Sequence, residues 1–265
     1  MKTLLAAACA LVLLVPAVAR ADEESVSSGA VTATLSWNGD SFDTQGARLT
    51  ITRSGAVAFS QAIPNVVCDG CVLVGSGADD IRINDLDGDG EVEVIGIAST
   101  GGSGCCINAG VWDFVPATGS YRELDLDMVT AGFNLDDLDG DGADEIVSQD
   151  VRFNVFFDNR ADQLYPPQIL HYLHQDGQPI VVDVTDRKYA APFRVNAADA
   201  KRRFSRLHRA NPSARGWVAT YVADQMVLGK RSTGLRELDR QVKRRIVSRS
   251  FKTSLLKRLK RWGYQ

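Results

Sequence analysis

The chain has 265 residues, of which 24% are charged and 45% hydrophobic, and its formal net charge is −3. Past its N-terminal segment no apolar run approaches the roughly 20 residues that span a bilayer as a helix, so a helical integral membrane protein is excluded. The small net charge hides a segregation: residues 22–198 hold 29 Asp and Glu against 9 Lys and Arg, whereas residues 199–265 hold 4 against 19. An acidic front and a basic back place the main organisational boundary where the sign changes.

Residues 1–21 combine Lys2, an apolar run from Leu4 to Val18 and the small-residue ending Ala19-Arg20-Ala21 before acidic Asp22-Glu23-Glu24. This pattern predicts a signal peptide cleaved after Ala21 and a secreted or periplasmic mature protein of about 244 residues, one large domain or two small ones. Cys9 falls inside the segment to be removed.

The acidic front reads as β structure. Residues 31–37, 48–53 and 57–59 alternate or are β-branched, with Asn38-Gly39 and Ser54-Gly55 as turns. Further strands are expected at 81–83, 92–98, 110–115 and 121–126, then at 133–135, 145–149, 169–174 and 179–184, the last two forming a hairpin that turns at Asp176-Gly177. Two four-strand units follow, at about 79–127 and 132–185. Each contains an acidic turn, and the turns start 52 residues apart, at Asp85 and Asp137.

Those turns read Asp85-Leu-Asp87-Gly-Asp89-Gly-Glu91-Val-Glu93 and Asp137-Leu-Asp139-Gly-Asp141-Gly-Ala143-Asp-Glu145. Carboxylates at positions 1, 3, 5 and 9, with glycine at position 6 for the bend, gather hard oxygen donors around one cation. The residue at position 7, Glu91 or Ala143, adds its carbonyl. This is Ca²⁺ chemistry, and it predicts two sites. An EF-hand needs a bidentate Glu at position 12 and flanking helices, but position 12 is Gly96 or Ser148 and the flanks are strands.

Four cysteines remain after processing: Cys68, Cys71, Cys105 and Cys106. In an exported chain an even number favours two disulfides, for which three pairings exist. Pairing within Cys68–Cys71 and within Cys105–Cys106 is preferred, and a four-thiolate zinc site is the competing reading. His171 and His174 lie three apart on a strand and point to opposite faces, which suits a solvated hairpin better than a shared ligand pair. The aromatic and charged insertion at 150–158 is expected to pack in a core, with a binding surface as the alternative.

The basic back reads as helix. Residues 196–209 start at a cap-like Asn196 and stop before Asn211-Pro212, and residues 217–226 carry an apolar face ending near Gly229. From Leu238 through Val242, Ile246, Phe251, Leu255 and Leu259 to Trp262, apolar residues recur near the helical period among Lys and Arg. Such a basic amphipathic helix is expected to dock its stripe on the acidic β part, with an anionic envelope surface as the alternative partner.

A strand, a D-x-D-G-D-G turn ending in Glu and a second strand resemble the FG-GAP and VCBS type repeat of integrin α-like β-propellers. The match covers about fifteen residues per copy. The resemblance implies Ca²⁺ at Asp85, Asp87, Asp89, Glu91 and Glu93, and at Asp137, Asp139, Asp141, Ala143 and Glu145. The whole order of segments resembles exported bacterial proteins of that type, which brings no activity with it.

Together these readings predict an α+β, mainly β protein. Partial propeller-like antiparallel blades with calcium turns occupy residues 22–190, and a basic helical region occupies 191–265. No nucleophile, base and oxyanion donor assemble in the sequence, so a binding or structural module with a protein or polysaccharide ligand is expected and no nucleic-acid partner is. A cell-envelope hydrolase or an enzyme accessory factor is the alternative.

Overall fold

The structure is a computed structural model that describes residues 22–38, 45–62, 72–73, 81–99, 107–126, 132–158 and 162–264. Residues 1–21, on which the signal-peptide expectation falls, and all four later cysteines lie outside the described residues, and with them the disulfide and zinc readings.

Three antiparallel sheets and a helical layer follow one another along the chain. The first sheet is a meander of β1 (Asp22–Ser28), β2 (Val31–Asn38), β3 (Gln45–Arg53) and β4 (Ala56–Ala62). In the second, β7 (Glu93–Ser99) pairs on one side with β5 (Val72–Leu73) and β6 (Ile81–Asn84). On its other side it pairs with β8 (Ile107–Val115), followed by β9 (Ser120–Leu126). The third is a meander of β10 (Asn134–Asp136), β11 (Glu145–Gln149), β12 (Pro167–Gln175) and β13 (Gln178–Asp183). The second and third sheets share a plan in which the acidic turn joins the first two strands, β6 to β7 and β10 to β11.

Side-chain alternation packs these sheets face to face. On β7 and β8, Val94 and Trp112 join a core with Val31, Leu35, Leu49 and Ile51 of the first sheet. Their neighbours Ile95 and Val111 point the other way, into a core with Ile146 and Tyr172 of the third. The second sheet is therefore apolar on both faces, and the period of two decides which neighbour each residue meets. Each Val, Leu or Ile fully buried this way contributes roughly 1.5–3 kcal/mol.

The far face of the third sheet meets helices instead of another sheet. Ile169 and Val147 pack with Tyr189, Phe193 and Leu228. The helices are α1 (Ala190–Ser205), α2 (Ala214–Val227), α3 (Arg231–Lys243) and α4 (Arg249–Arg261). No closed ring of sheets forms among the described residues.

Three helical expectations change. First, α1 begins at Ala190, so Asn196 is not a cap. It sits mid-helix, where its Nδ2 donates to the Tyr165 carbonyl and to Asp224, each at 2.9 Å. Second, the run from Leu238 to Trp262 is two helices, because the chain turns at Arg245 (φ 60°) and restarts at Ser248, whose hydroxyl accepts the Phe251 amide. Third, the stripe of α4 meets the acidic front only through its Phe-rich insertion and not through the sheets. Phe251, Leu255 and Leu259 bury themselves with Phe153 and Phe156 of the 3₁₀ turn Val151–Phe156 and with Val218 and Val222 of α2. Apolar complementarity inside the helical layer outweighs attraction between exposed charges, which water screens. The Phe-rich insertion packs in a core as expected, that of the helical layer.

Two outcomes test this packing. The indole of Trp112 lies over the paired glycines Gly96 and Gly110, and a Cβ added at Gly96 meets Cζ3 at 2.8 Å. Gly96→Ala should lower stability by ~1–3 kcal/mol through overpacking, read as a shifted urea midpoint with unchanged slope. Asp224 is fully buried and takes its hydrogen bond from Asn196, and burial holds its carboxyl well above the ordinary 3.8. The folded state thus keeps a proton that the unfolded state releases near pH 4, and stability is lost as pH rises above that value. Asp224→Asn removes the penalty. Its gain over the native chain should be near zero at pH 4 and should grow towards pH 8, by up to about 1.4 kcal/mol per pH unit; denaturant melts across that range measure it.

Candidate metal centre

Each acidic turn is closed by the strand pair that flanks it. Asn84 faces Glu93 across β6 and β7, and Asp136 faces Glu145 across β10 and β11. In the first turn the Asp85 carboxylate accepts the amides of Gly88 (2.7 Å) and Gly90 (2.9 Å), and Asp89 accepts that of Glu91 (2.7 Å). Glu93 reaches back to accept the Leu86 amide at 2.8 Å. The second turn repeats this pattern. Asp137 accepts Gly140 (2.8 Å) and Gly142 (3.1 Å), Asp141 accepts Ala143 (2.9 Å), and Glu145 accepts Leu138 (2.7 Å). Gly90 at φ 87° and Gly142 at φ 97° make the bend that the spacing calls for.

Carboxylates converge as a result. Oxygens of Asp85, Asp87 and Glu93 lie within 4.8 Å of one another, as do those of Asp137, Asp139 and Asp141. A third group joins Asp139 and Glu145 to a ring nitrogen of His171. Asp89 lies on the exposed rim with one oxygen on the Glu91 amide. The Glu91 side chain turns away to Arg53, Nη2 to Oε2 at 2.8 Å, which leaves its carbonyl as the group it offers. Ala143 offers a carbonyl alone.

The two turns sit at successive seams. Asp87 accepts from His174 Nδ1 at 2.8 Å, and His174 Nε2 lies 3.0 Å from Asp113 of β8, so the first turn and the second sheet are tied to β12. At the second turn Lys188 Nζ lies 2.9 Å from Asp139, and the Tyr189 hydroxyl donates to Glu145 at 3.2 Å. His171 Nε2 is 2.8 Å from that same Glu145 oxygen. These contacts tie the third sheet to the start of the helical layer. The turns also touch each other: the Asp144 amide donates to the Asp85 carbonyl at 3.3 Å, and Asn84 Nδ2 to Asp144 at 2.6 Å.

His171 and His174 are therefore not a solvated hairpin. They do point to opposite faces of β12, and each face carries a different acidic turn. Asp113, Tyr172, Lys188 and Tyr189 carry no motif, and they reach the turns only through strand register and sheet stacking. A histidine on each face of a strand that follows two acidic turns was the one signal available.

The electrostatics of the two turns differ. Glu93 is 1% exposed, and among the described residues no Lys, Arg or His pairs with it. Burial first, then the carboxylates of Asp87, Asp113 and Asp85, push its carboxyl up to about 8, against the one amide it accepts. Beside it the Tyr172 hydroxyl is buried without a hydrogen-bond partner among the described residues. Burial and the charges of Asp113, Glu93 and Asp87 all raise it. Burial opposes the charging of His174, but its bonds to Asp113 and Asp87 prevail and raise it. At the second turn Glu145, also 1% exposed, has His171 beside it, and the Lys188 ammonium holds Asp139 below the usual carboxylate range. A buried carboxylate with only carboxylates around it, next to an orphaned hydroxyl, fits a hard divalent cation coordinated by Asp85, Asp87 and Glu93.

No helix among the described residues is long and apolar enough to cross a membrane. No family model and no solved structure matches the chain. The chain is similar to a probable thylakoid lumen protein of Synechocystis sp. (strain ATCC 27184 / PCC 6803 / Kazusa), with 29% identity over 157 residues. The similarity covers 58% of this chain and 45% of that protein, so the chain spans less than half the length of its relative.

The orphaned hydroxyl gives a direct test. Tyr172→Phe removes an unsatisfied buried group and leaves the ring in place. In chelator the variant should be as stable as the native chain or about 1 kcal/mol more stable, read from urea midpoints.

Proposed function

We propose that the protein is an exported, calcium-stabilised binding or structural module, built from FG-GAP/VCBS-like repeats arranged as a partial propeller. The observation that carries this reading is Glu93, a buried carboxylate without a cationic partner among the described residues, in a turn that already gathers Asp85 and Asp87. The second turn supports it by repeating the same amide-to-carboxylate bonds. Similarity to a probable thylakoid lumen protein is compatible with an exported compartment, as the signal-like N-terminus is.

In this reading Asp85, Asp87, Asp89, Glu93 and the Glu91 carbonyl hold one Ca²⁺, and Asp137, Asp139, Asp141, Glu145 and the Ala143 carbonyl hold another. The ions supply charge neutralisation and rigid oxygen coordination. The chain's own groups do the rest: Leu86 and Leu138 amides aim the ninth-position carboxylates, and His174 and Lys188 fasten the third-position carboxylates to the next layer. In the second turn Lys188 and His171 between them already contact both Asp139 and Glu145, whereas in the first His174 contacts Asp87 and leaves Glu93 free for the cation, so the first turn binds more tightly than the second. The ligand of the module is a protein or a polysaccharide presented outside the cytoplasm.

Sites of extracellular type, with Kd of roughly 10⁻⁴ to 10⁻³ M, contribute about 1.4–2.7 kcal/mol each at about 10 mM Ca²⁺. Thermal melts in 10 mM CaCl₂ should lie several degrees above melts in EDTA. Asp87→Asn should remove more of that shift than Asp139→Asn. Superimposable melts with and without calcium would overturn the proposal.

A further inference from the structure

One end of the helical layer gathers exposed cations and no acid. The segment after α1 and the turn between α3 and α4 come together there, with Arg244 Nη2 donating to the Leu207 carbonyl at 2.7 Å. Between them lies a cavity of ≈ 530 Å³, rimmed by Lys243, Arg245, Ser248 and Arg249 and floored by Ile246 and Val247. Arg206, Arg209, Lys243, Arg244, Arg245 and Arg249 are all exposed, and none forms an ion pair among the described residues.

Nothing nearby neutralises them. The sequence has no Asp or Glu at 200–223 or at 240–265. The four acids of residues 199–265 are already used. Asp199 pairs with Arg202 and Arg203, Asp239 pairs with Lys252, Glu237 pairs with Arg240, and Asp224 is buried.

The chemistry of the surroundings narrows the partner. Apolar insertion is closed off, because Phe251, Leu255 and Leu259 of α4 are committed to the core. Stacking on nucleobases is also disfavoured: the rings of Phe204, Trp217, Tyr221 and Phe251 are buried, and among the described residues the exposed large hydrophobic side chains are valines. The cavity offers three cations and a hydroxyl to one phosphate, but Arg206 and Arg209 lie outside its lining and need further anions beside the first. A sheet of anionic headgroups presents such an array.

We infer that this end of the helical layer is a docking surface for an anionic phospholipid bilayer, held by headgroup phosphates at Lys243, Arg245 and Arg249 and extended by Arg206, Arg209 and Arg244. The attachment is electrostatic and without apolar insertion, and it is independent of calcium at the acidic turns. Salt at a Debye length of about 8–10 Å screens it, so it is strongest at low ionic strength.

Co-sedimentation of the processed chain with sonicated vesicles tests this. With 30% phosphatidylglycerol in phosphatidylcholine at 50 mM NaCl, saturable binding is expected; with phosphatidylcholine alone, or at 500 mM NaCl, it should vanish. The triple variant Lys243→Glu/Arg245→Glu/Arg249→Glu should bind about a hundredfold more weakly, while Arg48→Glu on β3 binds as the native chain does. Far-UV circular dichroism checks the fold, and the milder Lys243→Gln/Arg249→Gln pair, expected to lose about tenfold or more, serves if the triple variant unfolds. Equal binding to both vesicle types, or a folded variant that sediments like the native chain, overturns the proposal. So does saturable binding of inorganic phosphate without vesicle binding, which would assign the surface to a soluble anion.

Discussion

At the ninth position of each acidic turn a buried carboxylate reaches back to the amide of the second position, and that contact seats each turn at a seam between layers. Glu93 and Glu145 are both 1% exposed, and each fixes the turn to the strand that carries it. Because Glu93 shares a face of β7 with Ile95, it points towards the third sheet; Glu145 shares a face of β11 with Val147 and points towards the helices. The chain thus puts its densest negative charge at two successive seams between layers. Carboxylates so placed repel one another unless cations answer them, and the chain supplies those cations unevenly. His174 answers Asp87 and the Lys188 ammonium answers Asp139, while Glu145 has a hydrogen bond with the His171 ring. Glu93 is left among other carboxylates, with no cationic partner among the described residues.

The helical layer ends the stack by a different route. It covers the outer face of the third sheet with Tyr189, Phe193 and Leu228, and it draws the 3₁₀ turn Val151–Phe156 into its own core. A polar link crosses that core, from the Tyr165 carbonyl through Asn196 to the buried Asp224. Charge is segregated along the same axis, with acids on the sheets and cations on the helices. The segregation does not hold the layers together, since the cores between them are built of apolar side chains and most of the helical cations face water. It leaves the molecule with an acidic region on the sheets and a basic one on the helices.

Much of the architecture was legible in local pattern. Period-two alternation located most strands, and the turn chemistry at Asp176-Gly177 located the hairpin of β12 and β13. The repeated spacing of Asp and Gly located both acidic turns and the strand-turn-strand plan around them. These features are encoded by neighbours within a few residues, which is why a sequence displays them. Helix boundaries were less legible: Asn196 looks like a cap by type, yet the helix continues through it because Tyr165 and Asp224 occupy its side chain. The basic run after Leu238 keeps its periodicity across Arg245, where the backbone nonetheless turns.

The sequence alone therefore determined the carboxylate-rich turns, their β flanks and the division into an acidic front and a basic back, since each is a matter of residue type and spacing. Only the tertiary structure decided what the turns face. Strand register carried His171 and His174 to different turns, stacking brought Asp113 and Tyr172 beside Glu93, and the start of the helical layer delivered Lys188 and Tyr189 to Asp139 and Glu145. Those partners lie up to 87 residues away in the chain. Contacts at such separations are fixed by how whole layers pack, which local pattern does not record.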